Sequence, residues 1–261
     1  MGAAISISGV QAGGDNSVRV SIRTDAATVA LAGNPNVGKT SVFNALTGLR
    51  QHTGNWPGKT VERAQGIFTQ GSHSYVVVDL PGAYSLSPRS AEEEVARDFI
   101  CFAQPEVTVV VVDATALERN LNLALQVSEV TPRMVVCVNL IDEAKRKGYS
   151  VDAPGLSLDL GVPVVATVAR AYRGIDELKN VIDKTARGEI RPNPRPIEYG
   201  PEIETEVARL VGELAGIVAD RLPTRWVALR LLEGDEDTLQ KIAEFLGDPA
   251  FTNNVPRLLE V

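Results

Sequence analysis

The sequence predicts an α/β fold, a mostly parallel sheet sandwiched by helices and followed by a small all-helical domain. Three observations carry this. A glycine-rich turn, Gly33-Asn34-Pro35-Asn36-Val37-Gly38-Lys39-Thr40, sits between an apolar strand and a helix-like run. Downstream, short runs such as Val107-Thr108-Val109-Val110-Val111-Val112 are apolar throughout, as strands buried on both faces are, and they alternate with segments of helical periodicity. After a proline-rich stretch at residues 187–201 no strand pattern returns.

The chain divides in that order. Residues 1–27 combine Gly, Ser, Asn and Asp with weak alternation and read as a largely unstructured extension. Residues 28–188 form the predicted α/β domain and residues 189–261 the helical one. A strand at 28–32 enters the glycine-rich turn, and residues 41–46 continue as a helix. Residues 50–62, with two glycines, Pro57 and Trp56, read as a loop. Residues 64–69 and 74–79 alternate around Gln70-Gly71-Ser72, a hairpin that ends on Asp79. A helix is expected from Ala91, with Glu92, Glu93 and Glu94 in its first turn where the dipole favours acids. Strands are expected at 107–113, 134–139 and 164–167, and helices at 117–130, 143–147 and 175–186. In the tail, helices are expected at 202–221, 226–232 and 236–246, with a last one at 256–261.

Bulk composition bounds the function. The chain has 261 residues, 44 % of them hydrophobic, which suffices for a substantial core. A net charge of −7 argues against a nucleic-acid partner, which needs a basic footprint. Cys101 and Cys137 lie in apolar contexts and lack zinc spacing, and His52 and His73 stand far apart. No apolar run approaches the ~20 residues of a membrane helix, and the N-terminus lacks a secretory pattern.

The chemistry starts at the glycine-rich turn. Its backbone N–H groups can wrap an anion, the following helix adds its positive end, Lys39 reaches outer phosphates, and the Thr40 hydroxyl suits Mg²⁺. Ser41 follows on the same turn. Asp79-Leu80-Pro81-Gly82 ends a strand. There the carboxylate can hold a metal-bound water and the Gly82 N–H can meet a γ-phosphate. Asn139-Leu140-Ile141-Asp142 ends another strand. Its aspartate can accept from guanine N1–H and the exocyclic amine, while the asparagine amide reads the other edge; adenine lacks those donors. Each motif alone also occurs as an ordinary turn. Their complete order, with Thr60 between Gly58 and Glu62 as a second hydroxyl for Mg²⁺, indicates a P-loop GTPase fold.

These residues resemble the G-protein domain of FeoB-type ferrous iron transporters. The resemblance rests on the glycine-rich turn, on Gly54-Asn55-Trp56-Pro57-Gly58-Lys59-Thr60-Val61-Glu62, on Asp79-Leu80-Pro81-Gly82-Ala83-Tyr84-Ser85-Leu86 and on Asn139-Leu140-Ile141-Asp142-Glu143-Ala144. In the tail, Trp226-Val227-Ala228-Leu229-Arg230-Leu231-Leu232-Glu233-Gly234-Asp235 looks like that family's helical spacer.

The resemblance implies slow, Mg²⁺-dependent GTP hydrolysis by a domain on the cytoplasmic face of the bacterial inner membrane. That domain would regulate Fe²⁺ passage through a membrane pore this chain does not hold. It implies as partners GTP or GDP, that pore domain, small accessory transport proteins and further copies of the chain. By the same token Asn36, Lys39, Thr60 and Gly82 are the catalytic set, Thr40, Thr60 and Asp79 (through water) hold Mg²⁺, and Asn36 is a K⁺ ligand beside the phosphates. The nucleotide contacts comprise residues 33–41, Gly58, Lys59, Thr60, residues 79–82, Asn139, Leu140, Asp142 and the base-cradling Val168-Ala169-Arg170. Thr60's loop and the segment after Gly82 would be the two nucleotide-sensitive switches. Leu140 stands where many GTPases carry lysine, and Ala83 where many place a water-orienting glutamine.

Other features take plainer readings. Glu92, Glu93 and Glu94 read as a solvated helix start in preference to an iron-sensing cluster, and Lys145-Arg146-Lys147 as a solvated face. Trp56 is either a lid over the nucleotide or a partner contact. The competing functional reading is a GTPase of ribosome assembly or tRNA modification, which usually carries a basic RNA-binding module that this acidic chain lacks.

Overall fold

A computed structural model describes residues 26–48, 51–56, 59–218, 221–249, 251–252 and 258. Seven strands form one sheet: β1 (Ala27–Gly33), β2 (Gln51–Asn55), β3 (Glu62–Gln70), β4 (His73–Asp79), β5 (Val107–Asp113), β6 (Met134–Asn139) and β7 (Val164–Ala166), in the order β2-β3-β4-β1-β5-β6-β7. The β4-β1-β5-β6-β7 block is parallel, and β2 and β3 add antiparallel at one edge. The mostly parallel sheet expected from the valine runs is therefore what forms.

Alternation along each strand sorts side chains to two faces. Val29, Leu31, Val77, Val109, Val111, Val135 and Cys137 pack against α1 (Lys39–Thr47) and α6 (Ile175–Ala186), through Phe43, Leu46, Leu178 and Ile182. Ala30, Ala32, Val78, Val110, Val112, Val136 and Val138 face α2 (Ala91–Phe102) and α3 (Leu117–Val130). The helical module, α7 (Pro201–Val218), α8 (Thr224–Glu233) and α9 (Glu236–Leu246), packs on the outside of α2 and α3 and joins the same apolar cluster through Leu210, Leu214, Trp226, Leu231 and Ile242. Phe102 at the end of α2 meets Trp226 at 6.3 Å and Phe245 at 5.6 Å between ring centroids. Arg97, 1 % exposed, donates from Nη1 to Thr238 Oγ1 at 3.0 Å.

Three expectations change. The segment read as a loop over 50–62 contains β2, paired residue for residue with β3 from Gln51↔Gly66 to Asn55↔Glu62. Its Gln-His-Thr-Gly-Asn sequence hides an edge strand, because only one side is paired and little of it is apolar. An additional helix, α5 (Ala153–Leu160), follows α4 (Ile141–Arg146); Asp152 caps it by accepting from Gly155 N at 3.0 Å, and Pro154 suits its first turn. The first strand starts at Ala27, one residue inside the expected extension, whose residues 1–25 lie outside the described residues. So does the expected helix at 256–261, apart from Leu258.

Candidate nucleotide site

The C-terminal ends of β1, β4 and β6 and the starts of α1, α2 and α4 converge at one edge of the sheet, where open α/β sheets bind ligands. The turn after β1 holds Asn36 at φ 67° and Gly38 at φ 81°. A Cβ on Gly38 would stand 2.5 Å from Asn139 Nδ2, so only glycine allows the turn to sit against β6. An open cavity of about 500 Å³ lies over this turn, lined by Asn34, Pro35, Asn36, Gly38, Lys39, Thr40, Ser41, Gly82 and Glu92. Val37 is buried and supports the turn from below.

The Asp-x-x-Gly turn is fastened to this cradle. Leu80 N donates to Leu31 O at 3.0 Å and Ala83 N to Gly33 O at 3.2 Å, while Gly82 sits against Pro35, close enough that a Cβ would stand 3.1 Å from its ring. The Leu80 side chain is buried in the core, so only its backbone faces the site. Lys39 Nζ lies 2.6 Å from Asp79 Oδ1. Burial pushes the Asp79 carboxyl above the usual carboxylate range, and the Lys39 ammonium opposes that shift.

At the end of β6, Leu140 adopts φ 63° and opens α4, which places Asp142 in the first turn. Asn139 is 1 % exposed and braces two loops: Nδ2 donates to Val37 O at 3.2 Å, and Oδ1 accepts from Thr167 Oγ1 at 3.2 Å and Ala169 N at 3.1 Å. Those bonds leave one Nδ2 proton for a base. Of Val168-Ala169-Arg170, the first two side chains are buried, so only their backbone can touch a nucleotide; Arg170 projects and ion-pairs with Asp142. That ion pair holds the Asp142 carboxyl below the usual range, and the adjacent amides of Glu143 and Asp142 act in the same sense.

The expected first-switch residues are placed apart from this cavity. Thr60 is exposed and is not among the residues lining it. Lys59 is ion-paired with Glu94 on α2, and Gly58 lies outside the described residues. Trp56 packs edge-on against Phe99 at 5.4 Å, with the Arg63 guanidinium 5.1 Å from its ring centroid. Three residues contribute that the motifs did not single out. Thr167 holds Asn139, Glu94 anchors Lys59, and Glu92, exposed as a solvated helix start should be, also lines the open cavity. Thr167 had a signal, a hydroxyl directly preceding the base loop at a strand end; the two glutamates had none.

Among the described residues no helix is long and apolar enough to cross a membrane, and no cluster of His, Cys, Asp or Glu is arranged to hold a metal. The hard oxygen donors of the site, the Thr40 hydroxyl on the cavity rim and the partly buried Asp79 carboxylate, are the kind Mg²⁺ takes.

Comparison with known proteins agrees with this geometry. Residues 27–182 match the profile "Ferrous iron transport protein B", and residues 199–256 match "FeoB cytosolic helical domain". A Fe(2+) transport protein A/Fe(2+) transporter FeoB fusion protein of Porphyromonas gingivalis is 40 % identical over 220 residues, 83 % of this chain and 26 % of that protein. The Fe(2+) transporter FeoB of Escherichia coli K12 is 40 % identical over 215 residues, 80 % of this chain and 27 % of its own length. The chain thus spans about a quarter of the length of these curated relatives. The cytosolic domain of T. maritima FeoB superposes in its apo form with a TM-score of 0.77 at 35 % identity, covering 89 % of this chain and 92 % of that one. Its GMPPNP form superposes at 0.74 and 34 % identity, covering 90 % and 87 %. With a G domain at 27–182 and a helical module at 199–256 in the family's order, the chain belongs to the ferrous iron transport protein B family.

Proposed function

We propose that this chain binds guanine nucleotide across the cavity, hydrolyses GTP slowly with Mg²⁺, and regulates Fe²⁺ passage through a membrane pore at the cytoplasmic face of the bacterial inner membrane. One observation carries the nucleotide reading. The phosphate cradle and the Asp142 carboxylate stand at the same sheet edge, tied together by the Asn139 amide to Val37. Phosphates would rest on the turn and the α1 N-terminus, with Lys39 leaving Asp79 for the β- and γ-oxygens. Thr40 and, through water, Asp79 would hold Mg²⁺, which would supply positive charge beside the phosphate oxygens. Asn36, on the cavity rim in a left-handed turn, is the K⁺ ligand of this reading.

Closure of the first switch would bring in Thr60, which in this structure is exposed beyond the cavity lining. Ala83 supplies no water-orienting amide, so an attacking water would be placed by backbone groups alone at that position, consistent with slow turnover. Relatives crystallised with GDP and with GMPPNP support the ligand class. The helical module rests on α2 directly after the second switch, a route by which nucleotide state reaches the pore.

Titration calorimetry with GDP, GTP and ATP tests the core of this. Tight GDP and GTP binding with at least about a hundredfold weaker ATP is expected from an unpaired Asp142 facing adenine. Equal ATP affinity overturns the reading. Hydrolysis faster in KCl than in NaCl, lost in Asn36→Ala, tests the potassium ligand; equal rates remove it.

A further inference from the structure

We propose that Arg170 is an internal competitor for the guanine-reading carboxylate, taking the base's place on Asp142 whenever the base leaves and thereby speeding nucleotide exchange. The proposal rests on Asp142 as the base reader, and its test separates the two.

The geometry comes first. Arg170 Nη2 donates to Asp142 Oδ2, and Arg170 Nη1 lies 3.5 Å from Glu143 Oε1. A guanidinium is a planar fork of N–H donors. The guanine edge that an aspartate reads is the same motif, an N1–H beside an exocyclic N–H on one carbon. Arg170 therefore offers Asp142 the donor type the nucleotide offers, with a full positive charge added.

The match is incomplete, and that decides the direction of exchange. Arg170 bonds only Oδ2; Asp142 Oδ1 is buried and has no side-chain partner. Two parallel guanine donors would satisfy both oxygens, so the base displaces the arginine. It must first break a charge-assisted bond, which raises the cost of binding and lowers that of release.

The surroundings fit a swinging side chain on a fixed loop. The backbone at Ala169 is anchored to Asn139 Oδ1, and Val168 pairs with Arg173 through N–H···O bonds of 3.0 and 3.3 Å. The Arg170 side chain itself is 55 % exposed. Glu143, already 3.4 Å from Arg146, offers the displaced guanidinium a second carboxylate one residue from the first. From there Arg170 re-enters as soon as the base tilts away.

Stopped-flow release of fluorescently labelled GDP from the full chain tests this. Arg170→Ala is expected to slow release and tighten binding about two- to fivefold, the scale of an exposed ion pair. Arg170→Lys, a cation without the fork, should fall between the two. If Arg170 instead supports the base by stacking on it, Arg170→Ala accelerates release and weakens binding, and the proposal is overturned; unchanged rates overturn it equally.

The base reader is tested separately. Asp142→Asn exchanges an acceptor for a donor and should favour xanthosine diphosphate, whose C2 carbonyl replaces the amine of guanine. Failure of Asp142→Asn to change base preference sinks the guanine reading. A correct change of preference, with Arg170→Ala releasing GDP no more slowly, sinks only the competitor.

Discussion

Lys39 Nζ stands 2.6 Å from Asp79 Oδ1, so the ammonium at the start of α1 and the carboxylate at the end of β4 neutralise each other beside the glycine-rich turn. Both side chains are only 13 % exposed, and neither is matched by another ion pair among the described residues. Nucleotide and metal together would replace this pair with a phosphate for Lys39 and a cation for Asp79, so neither charge need be stranded.

Removing the lysine exposes that dependence. In Lys39→Met the desolvated Asp79 loses the only charge holding its pKa down, and the pKa rises further. A carboxyl with a raised folded pKa lends stability at low pH that is lost as pH rises through that value. The deficit of Lys39→Met against wild type should therefore grow with pH above the acid range, reaching about 2 kcal/mol near neutrality. Urea unfolding at pH 5 and pH 8 measures it, and a deficit independent of pH refutes it. Asp79→Asn in the same background should abolish the pH dependence.

Gly38→Ala tests the packing of the glycine-rich turn against β6. At φ 81° with a Cβ 2.5 Å from Asn139 Nδ2, the substitution combines backbone strain with a collision. A loss of about 2–3 kcal/mol and of measurable nucleotide binding is expected. Gly71→Ala, at φ 57° in the hairpin turn with open space around its Cβ, carries strain alone and should cost about 1 kcal/mol with binding retained. Calorimetric melting of the two variants gives the comparison, and equal losses would show that contact with Asn139 is unimportant.

The order of strands and helices was legible because β5 and β6 are apolar almost throughout and β1, β4, β5 and β6 end on punctuating residues, Gly33, Asp79, Asp113 and Asn139. β2 escaped because an edge strand needs little apolar pattern: its pairing to β3 is backbone chemistry that side chains do not announce. The turn after β1 was legible for the opposite reason, since its pattern sets glycine, lysine and threonine at fixed spacing between a strand and a helix. The ion pairs around the turn were not. Lys59–Glu94 and Arg170–Asp142 join residues 35 and 28 positions apart, and nothing in a one-dimensional pattern selects these partners from the other charges. Asn139 shows the same limit: its motif stands out in the sequence, while its ties to Val37, Thr167 and Ala169 emerged only in three dimensions.

Arg97 is the test of the junction between the two modules. It is buried on α2, held by Asp98 and by Thr238 at the start of α9. Thr238→Val keeps the shape and removes the acceptor, leaving a guanidinium N–H buried without it. A destabilisation of about 1.5–3 kcal/mol is expected, with α9 becoming more open to proteolysis than β5 or β6. If the helical module shows unaltered protection by hydrogen exchange, the junction is held by Phe102, Trp226 and Phe245 and the Arg97–Thr238 bond is incidental.

The last prediction concerns how the helical module responds to acid. Arg225 grips Glu204 with two bonds of 2.7 Å, Nη1 to Oε2 and Nη2 to Oε1, and also donates to Ile197 O, fastening α8 to α7 and to the strap before it. The paired guanidinium, with the Tyr199 amide, holds the Glu204 carboxyl down at about 2. A depressed folded pKa lends stability above the unfolded value, lost as pH falls toward the folded one. The Glu204 contribution should therefore be intact at neutral pH and disappear between the ordinary glutamate range and about pH 2. Arg225→Gln should return the Glu204 titration, followed by NMR of its side-chain carboxyl carbon, to the ordinary glutamate range and flatten that part of the acid dependence. An unshifted titration in Arg225→Gln would assign the depression to the Tyr199 amide and free α8 from any charge-based hold on α7.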